Sequence, residues 1–486
     1  MNKYIRHLIL LFSLAFIVLC MNLTYLQVFA AQRIASHPRN IRGMERELAI
    51  ARGAILSSDG QVLAESKKAR VNRRYQRIYP QGKIFAPLTG YYSLRYGRSG
   101  LEAAFNDHLL GKREISSFQD YLSYLMGEEK AGHTLILTID SRLQNVTAKA
   151  MGDQRGAVVV LNPKTGEILA MVSNPSYDPN PLASLNIERE TQAWNELIQD
   201  EAKPLLNRAL QELYPPGSAF KLVTASAALE TGLVEPSTQF TCTGRLTLPL
   251  TRHTLRDFGG KSHGKIDFAH ALELSCNNTF GEIGLKLGAK KLVNYAEGFG
   301  INLKVPFELP VVESKIPQSA EIDPPGTAMS AIGQKDVRLT PLQMTLVAGG
   351  IANQGVIMRP YVVKEIRDYS GKILRRFHGE EWLRPISPKT ASTLTELMKQ
   401  VVESGTGRGA RLKDISVAGK TGTAQVAKGA PHAWFVCFAP ADDPQIAVAV
   451  IVENGGSLGS EATGGRVAAP IAKQIISAAL KNKYDR

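Results

Sequence analysis

The order of apolar and polar positions divides the chain into a short basic start, one uncharged run, a charged irregular stretch and a long region of alternating patterns. Leu8 to Ala31 carries no charge over 24 residues, enough to cross a bilayer as a helix. Within the charged stretch, Arg52 to Ala64 reads as two short strands about a Ser58-Asp59-Gly60 turn. Leu101 to Leu110 reads as helix-like. Leu135 to Met151 opens on Thr138-Ile139-Asp140 and continues as a helix. Ala157 to Leu161 and Ile168 to Val172 are apolar runs flanking Lys164-Thr165-Gly166, the pattern of a hairpin over Gly156 to Ser173. Asn174 to Asn207 is loop-rich, with one helix near Glu188 to Asp200. Residues 208–400 read as mostly helical by apolar period, with irregular stretches near 240–265 and 302–326. Ile415 to Gln425, Ala433 to Ala439 and Gln445 to Glu453 then read as three strands with short links, hence an antiparallel meander. Val467 to Leu480 closes the pattern as a helix with Val467, Ile471, Ile475 and Ala479 on one face.

Strands thus lie at both ends of the region after residue 134, and helices fill its middle. That arrangement predicts an α+β fold: a five-stranded, largely antiparallel sheet flanked by helices, with a helical subdomain inserted and a cleft between sheet and helices. The expected domains are 1–32, a cytoplasmic tail and transmembrane anchor; 33–133, an elongated membrane-proximal pedestal serving as spacer and partner contact; and 134–486, the catalytic domain. No internal repeat or low-complexity tract interrupts them.

Charge refines the picture. The chain holds 58 Lys and Arg against 44 Asp and Glu, a formal net charge of +14. This balance suits a membrane surface or an anionic wall polymer, with nucleic acid as the competing class. No basic–aromatic stripe or nucleic-acid motif accompanies the charge, so no nucleic-acid partner is expected. Lys3 and Arg6 precede the apolar run and favour a cytoplasmic start with the rest outside, although Arg33, Arg39 and Arg42 flank its other end. Long following domains translocate largely regardless of such charge. A cleaved signal peptide with Val28-Phe29-Ala30 at its junction is the alternative, and the length of the run favours a retained anchor.

The chemistry is concentrated in three short boxes: Ser218-Ala-Phe-Lys221, Ser275-Cys276-Asn277 and Lys420-Thr421-Gly422-Thr423. In this order they form the pattern of an acyl-enzyme serine site with a lysine base. Ser218 follows Tyr214-Pro215-Pro216-Gly217, a break in any preceding element, and opens an apolar run from Ala219 to Leu229 that reads as a helix. A spacing of three puts Ser218 and Lys221 on one face. A serine hydroxyl needs a neighbouring base, and lysine serves as one only when burial or nearby positive charge lowers its pKa. Gly422 leaves a strand bare where a peptide must lie close. The chain also holds decoys. Ser262-His263-Gly264-Lys265 lies in a Gly- and charge-rich stretch and reads as a loop. Ser184-Leu185-Asn186 fits the second box, and Lys164-Thr165-Gly166 is more simply the hairpin turn. Of the four cysteines, Cys20 lies in the anchor. The number and spacing of Cys242, Cys276 and Cys437 suggest neither a disulfide framework nor a metal site, so they read as small packed residues, with a pair involving Cys242 left open.

With the boxes in place, the chain resembles the class B penicillin-binding proteins over nearly its whole length, most closely the short penicillin-binding protein A forms. The resemblance also rests on Arg52-Gly53 with Asp59-Gly60, Gly100-Leu101-Glu102, Asn162 to Met171, Asn174 to Asn180, Asn207-Arg208-Ala209, Gly333-Gln334-Lys335, His432-Ala433-Trp434-Phe435 and Val452-Glu453-Asn454-Gly455. It implies the penicillin-binding, β-lactamase-like transpeptidase fold and a single-pass, extracytoplasmic peptidoglycan D,D-transpeptidase without cofactor or metal. Its substrates would be stem peptides ending in D-Ala-D-Ala, and β-lactams would acylate it. Ser218 would be the nucleophile and Lys221 its base. Ser275 would relay a proton to the leaving amine, and Asn277 would hold the donor backbone. Lys420 would supply positive charge, Thr421 and Thr423 would bind the substrate carboxylate beside Gly422, and the N–H groups of Ser218 and Thr423 would form the oxyanion hole. A SEDS-family glycan polymerase is the implied partner. The stretch between anchor and hairpin looks nothing like a glycosyltransferase, and no Glu-x-x-Leu-Asn deacylation setting is found. A long-lived penicilloyl enzyme is therefore expected. A D,D-carboxypeptidase, a β-lactamase, and a penicillin-binding sensor or scaffold are the rival readings.

Overall fold

The computed structural model describes residues 3–29, 47–69, 74–111, 131–426 and 429–484. The first helix, Lys3–Thr24, runs on as a wider turn through Tyr25–Phe29. Within Lys3–Val28 an 18-residue stretch reaches a mean hydropathy of 2.3, and none of that stretch is buried. By length and composition the helix is long and apolar enough to cross a bilayer. Ala30, Ala31, Arg33, Arg39 and Arg42, which bear on the end of the span and on its orientation, lie outside the described residues.

The five-stranded sheet follows the expected plan. Its order is Ala418–Ala424, His432–Ala439, Ile446–Val452, Gly156–Leu161, Ile168–Asn174, and every neighbouring pair is antiparallel. The three inner strands are buried along almost their whole length, so they read as apolar runs rather than alternations. Alternation survives in where the side chains go. Val159, Trp434, Val436, Phe438, Ala447 and Ile451 face one core with helices Lys221–Glu230 and Pro341–Ala352. Val158, Val160, Phe435, Cys437, Val448 and Val450 face a second core under helices Ser141–Met151 and Ala468–Tyr484.

Residues 208–400 depart from the mostly helical expectation. Gln239–Cys242 pairs with Gly264–Asp267, and Arg245–Thr247 with Thr254–Arg256, in two small ribbons. The Ser262 decoy therefore sits in a loop, as expected, but its Gly264-Lys265 half begins a strand. Val363–Arg367 and Ile373–Arg376 join Thr134–Leu137, Ile55–Leu56, Val62–Lys68 and Tyr75–Ile78 in a six-stranded sheet that draws strands from both sides of residue 133. Val363–Arg367 and Ile373–Arg376 are five and four residues long and rich in Lys, Glu and Arg, whose local preference is helical. Pairing with distant strands decides them. The Leu101 to Leu110 stretch is likewise two short helices, Gly100–Ala104 and Asn106–Leu109, parted at Phe105.

A buried ionic knot holds this second sheet to the following turns. Glu102 is fully buried, with Arg52 Nη2 at 2.7 Å and Arg77 Nε at 2.5 Å from its two oxygens. Tyr79 Oη donates to the same carboxylate at 3.3 Å. Burial alone would raise the Glu102 carboxyl, but the two guanidiniums overcome it and hold it below its usual value. Glu102→Ala leaves two buried cations unpaired. The expected loss in opening free energy of the strands between residues 55 and 78 is ~3–5 kcal/mol, read by native-state hydrogen exchange. Exchange unchanged from the parent would show that the knot carries no such weight.

Candidate active site

Ser218 lies in a single 3-10 turn, Gly217–Phe220, rather than in the α-helix expected from the apolar run; the α-helix proper starts at Lys221. The change improves the alignment of the first box, because side chains three apart eclipse in a 3-10 turn. The turn is braced from several sides. Trp434 Nε1 donates to Pro215 O at 3.0 Å, and Tyr214 exchanges backbone hydrogen bonds with Leu339. Tyr214 Oη donates at 2.7 Å to Glu453, whose carboxylate also takes Arg208 Nε at 2.9 Å and Arg155 at 2.5 Å. Gly217 has φ +53°, and a Cβ there would stand 2.7 Å from Thr423 O; a Cβ on Gly422 would stand 2.8 Å from Pro216 O. The turn and the third-box strand are therefore in backbone contact, which explains glycine at both places.

Ser275 has φ +59°. It follows helix Phe268–Glu273, with Ser275 N donating to Leu272 O at 3.2 Å and Cys276 N to Ala271 O at 2.9 Å. This is a Schellman stop, in which the left-handed position is ordinarily glycine. Cys276 then caps helix Asn277–Gly298, its Sγ accepting from Thr279 N. The second box is thus a sharp corner between two helices, and a serine occupies the strained position.

Lys221 joins the two. It is fully buried, and its Nζ lies 2.7 Å from Ser275 O, 2.7 Å from Asn277 Oδ1 and 3.3 Å from Ser275 Oγ. Asn277 uses its other end on Arg256 O at 2.9 Å. Desolvation lowers the Lys221 ammonium to about 7, against the opposing pull of Cys276 and Asp257. Relative to an unhindered lysine, that shift corresponds to on the order of 5 kcal/mol against the charged form. Lys420 is also fully buried in the strand Ala418–Ala424, with Nζ donating to Thr421 O at 3.0 Å. Burial, and then the charge of Lys221, push it well below the usual lysine value.

The structure therefore brings Lys221, Ser275 and Asn277 into direct hydrogen bonding and sets the Ser218 turn against Gly422 and Thr423. It gives Lys420 no hydrogen bond to Ser275; their link is Lys221, which is bonded to Ser275 and whose charge lowers Lys420. The decoys stay structural: Asn186 caps helix Ile187–Gln199, and Lys164-Thr165-Gly166 is the hairpin turn. Two features escaped the sequence reading. Thr406 Oγ1 lies 2.8 Å from Thr421 Oγ1, joining the loop after helix Pro388–Glu403 to the third box. Cys242, Asp257, His263 and Cys276 also gather their ligand atoms within 4.8 Å of one another, a set able to hold a cation. Neither carries a motif, since each is assembled from separate loops.

With this geometry in hand, comparison with known proteins is informative. The penicillin binding protein transpeptidase domain matches residues 156–477, and the penicillin binding protein A dimerisation domain matches residues 52–135. The peptidoglycan D,D-transpeptidase PbpA of Mycolicibacterium smegmatis is 40% identical over 493 residues, covering 99% of each chain. Among solved structures, the ceftriaxone acyl-enzyme complex of penicillin-binding protein A from M. tuberculosis superposes with a TM-score of 0.85 at 39% identity, over 90% of this chain and 99% of that one. The penicillin G acyl-enzyme complex of the same protein gives 0.83 at 39% identity, over 88% and 99%.

The Schellman corner yields a measurable expectation. Ser275→Gly relieves the left-handed strain and raises stability by about 1 kcal/mol, seen as a higher thermal midpoint, whereas Ser275→Ala keeps the strain and gains nothing of that kind. A lower midpoint for the glycine variant would refute the strain.

Proposed function

The chain belongs to the penicillin-binding protein transpeptidase family, and from that premise we propose how its own residues act. It is a peptidoglycan D,D-transpeptidase: a serine acyltransferase of cell-wall synthesis that takes peptidoglycan as substrate and is acylated by β-lactams. We read it as monofunctional, without glycosyltransferase activity. Ser218 is the proposed nucleophile. It attacks the penultimate D-Ala carbonyl of a stem peptide, the terminal D-Ala leaves as the amine, and a neighbouring stem's amino group then takes the acyl chain from Ser218.

The observation that carries this reading is the environment of Lys221. A neutral amine donates two hydrogen bonds and keeps one lone pair. Two N–H groups directed at Ser275 O and Asn277 Oδ1, both 2.7 Å away, leave that lone pair for a hydroxyl. A lysine lowered to about 7 holds a substantial neutral fraction at neutral pH and so suits a general base. Ser275, whose Oγ lies 3.3 Å from the same nitrogen, is the proposed relay to the leaving amine. Asn277 holds Lys221 and, by exchanging its Arg256 contact, the donor backbone. Burial, and then the charge of Lys221, hold the Lys420 ammonium well below the usual lysine value; an arriving substrate carboxylate at Thr421 and Thr423 favours its charged form. Gly422 lets the peptide lie along the strand, and the N–H groups of Ser218 and Thr423 receive the oxyanion.

We further read residues 1–32 as cytoplasmic tail and retained anchor, 33–133 as pedestal and 134–486 as the catalytic domain, facing the exterior. The matched spans 52–135 and 156–477 support that division. A SEDS-family glycan polymerase is the proposed membrane partner, met through the anchor and pedestal.

Incubating the detergent-purified full chain with a fluorescent penicillin tests the assignment. One stoichiometric, slowly lost label is expected on the parent and on Ser262→Ala, and none on Ser218→Ala. Label surviving on Ser218→Ala sinks the nucleophile. Rapid loss of label would mark a β-lactamase, and D-Ala release without cross-linked product a carboxypeptidase.

The acylation rate should depend on Lys221 being unprotonated. It is therefore expected to level off above pH about 7 and to fall by about tenfold per pH unit below it. A flat profile through this range would exclude Lys221 as the base.

A further inference from the structure

Resting on the transpeptidase reading above, we propose that the ribbon of residues 245–256 and the turn after it dock the acceptor, an acidic stem peptide bearing the attacking amine. Strands Arg245–Thr247 and Thr254–Arg256 pair antiparallel, and their side chains alternate. Leu246 and Leu255 turn toward helix Asn277–Gly298, where a Cβ on Gly281 would stand 2.9 and 2.6 Å from them. Arg245, Thr247, Thr254 and Arg256 are exposed on the other face. The register sets Arg245 directly opposite Arg256. Like charges so placed destabilise a strand pair, and a two-stranded ribbon is marginal to begin with. An anion lying across the two guanidiniums turns that repulsion into attraction.

The fold itself supplies no such anion. Residues 239–267 hold five Lys and Arg, all exposed: Arg245, Arg252, Arg256, Lys261 and Lys265. Two acids accompany them, and both are committed elsewhere. Asp257 is buried, and its Oδ1 accepts from the backbone N–H groups of Asn277 and, at 3.3 Å, of Asn278. Asp267 caps helix Phe268–Glu273 and lies 2.8 Å from His270 Nδ1. Glu282, on the adjoining helix, pairs with Lys286 at 2.7 Å. Among the described residues, none of the five cations has a carboxylate partner. Beside them Leu250 is 89% exposed and Phe258 78%. A ribbon that shows solvent only cations and two large apolar side chains has the makeup of a surface for an acidic peptide.

Position selects the occupant. Asn277 Nδ2 donates to Arg256 O at 2.9 Å, so the ribbon borders the second box, whereas the donor peptide lies along the third-box strand. Ser275 is the proposed relay to the leaving amine. By microscopic reversibility, the acceptor amine enters where that amine departs. Its nitrogen bonds to the acyl carbon as the ester bond to Ser218 Oγ breaks. Its proton passes through Ser275 Oγ and Lys221 Nζ back to Ser218 Oγ. The body of the acceptor then extends from Ser275 across the neighbouring ribbon. An uncross-linked stem ends in a free carboxylate, so this second peptide is anionic, and the five cations favour it over neutral amines. Exposed cations with apolar side chains also suit an anionic membrane surface, but the bond from Arg256 to the second box places them at the cleft.

The test follows the fate of one acyl-enzyme. The full chain in detergent receives an amine-blocked donor peptide ending in D-Ala-D-Ala and one of two acceptors. The first is a peptide with a free amine and a free carboxyl terminus; the second is the same peptide amidated at that terminus. Transfer product is compared with hydrolysed donor by mass spectrometry. Both arise from the same acyl-enzyme, so the rate of acylation cancels. The parent should reach half-maximal transfer with the acidic acceptor at about tenfold lower concentration than with the amidated one. Arg245→Gln, Arg252→Gln and Lys261→Gln combined should bring the two within about twofold, and so should about 1 M salt on the parent. The salt arm stands even if the triple variant fails to fold. Phe258→Ser should weaken both acceptors alike, and Lys149→Gln, on helix Ser141–Met151, should keep the parent's preference. A parent that uses the two acceptors equally or uses neither, or a preference that survives in the triple variant, would overturn the surface. In nanodiscs of phosphatidylglycerol with brominated acyl chains, Phe258→Trp should show no quenching beyond the parent's. Quenching there would assign the ribbon to lipid and overturn the acceptor. The fluorescent penicillin label reads the acyl-enzyme separately: its absence removes the Ser218 reading and this one with it, whereas equal acceptors on a labelled enzyme remove only this one.

Discussion

Burying a lysine with carbonyl oxygens but no carboxylate in contact is the constraint on which the rest of this structure depends. Lys221 begins a helix whose residues Lys221 to Ala228 are all buried, so its nitrogen has no route to water along its own element. Its nearest partners are a backbone carbonyl and an amide oxygen. Such partners accept hydrogen bonds from an amine without paying the full electrostatic return that an ionised lysine demands on leaving water. The same desolvation that opposes the charge makes a free lone pair available, which is the property a serine nucleophile requires.

That lysine stays where it is because the elements around it are over-determined. The helix that Lys221 opens packs against helices Asn277–Gly298 and Pro388–Glu403. The turn before it is tied down by Trp434, Leu339 and the Glu453 cluster. The second box occupies a helix stop that would accept glycine more readily. Strain of about 1–3 kcal/mol at such a position persists only where the surroundings enforce it. Here they comprise two helices, the Asp257 carboxylate and the lysine itself. Asp257 therefore has a double place in the fold. One oxygen receives the backbone of the corner, and the other faces Cys242, Cys276 and His263, so whatever occupies that cluster bears on the placement of Asn277.

Lys420 shows why proximity and contact must be kept apart. It is as buried as Lys221 and, among the described residues, its hydrogen bond goes to its neighbour's carbonyl, yet the charge of Lys221 raises the cost of charging it. On the proposed reading, a substrate carboxylate gains more beside these desolvated amines than at a solvated surface, where ion pairs contribute little. The hydroxyls of Thr421 and Thr406 lie 2.8 Å apart and tie the loop after helix Pro388–Glu403 to the same strand.

Patterning of the chain was enough to specify the antiparallel sheet, the hairpin at Lys164, the closing helix and the order of the three boxes, because each rests on local periodicity or on a turn residue whose preference is intrinsic. Composition marked the first helix as long and apolar enough to span a membrane for the same reason: a uniform apolar surface needs no tertiary partner to declare itself. What lay beyond the sequence were short segments without a period of their own. Gln239–Cys242 and Val363–Arg367 became strands only because distant strands pair with them, and helix-preferring residues such as Glu365 and Arg367 yielded to that pairing. The convergence of Cys242, Asp257, His263 and Cys276, and the positive φ of Ser275, were likewise decided by packing. Contacts between loops far apart in the chain leave no repeat in it; their energy exists only once the long-range geometry has formed.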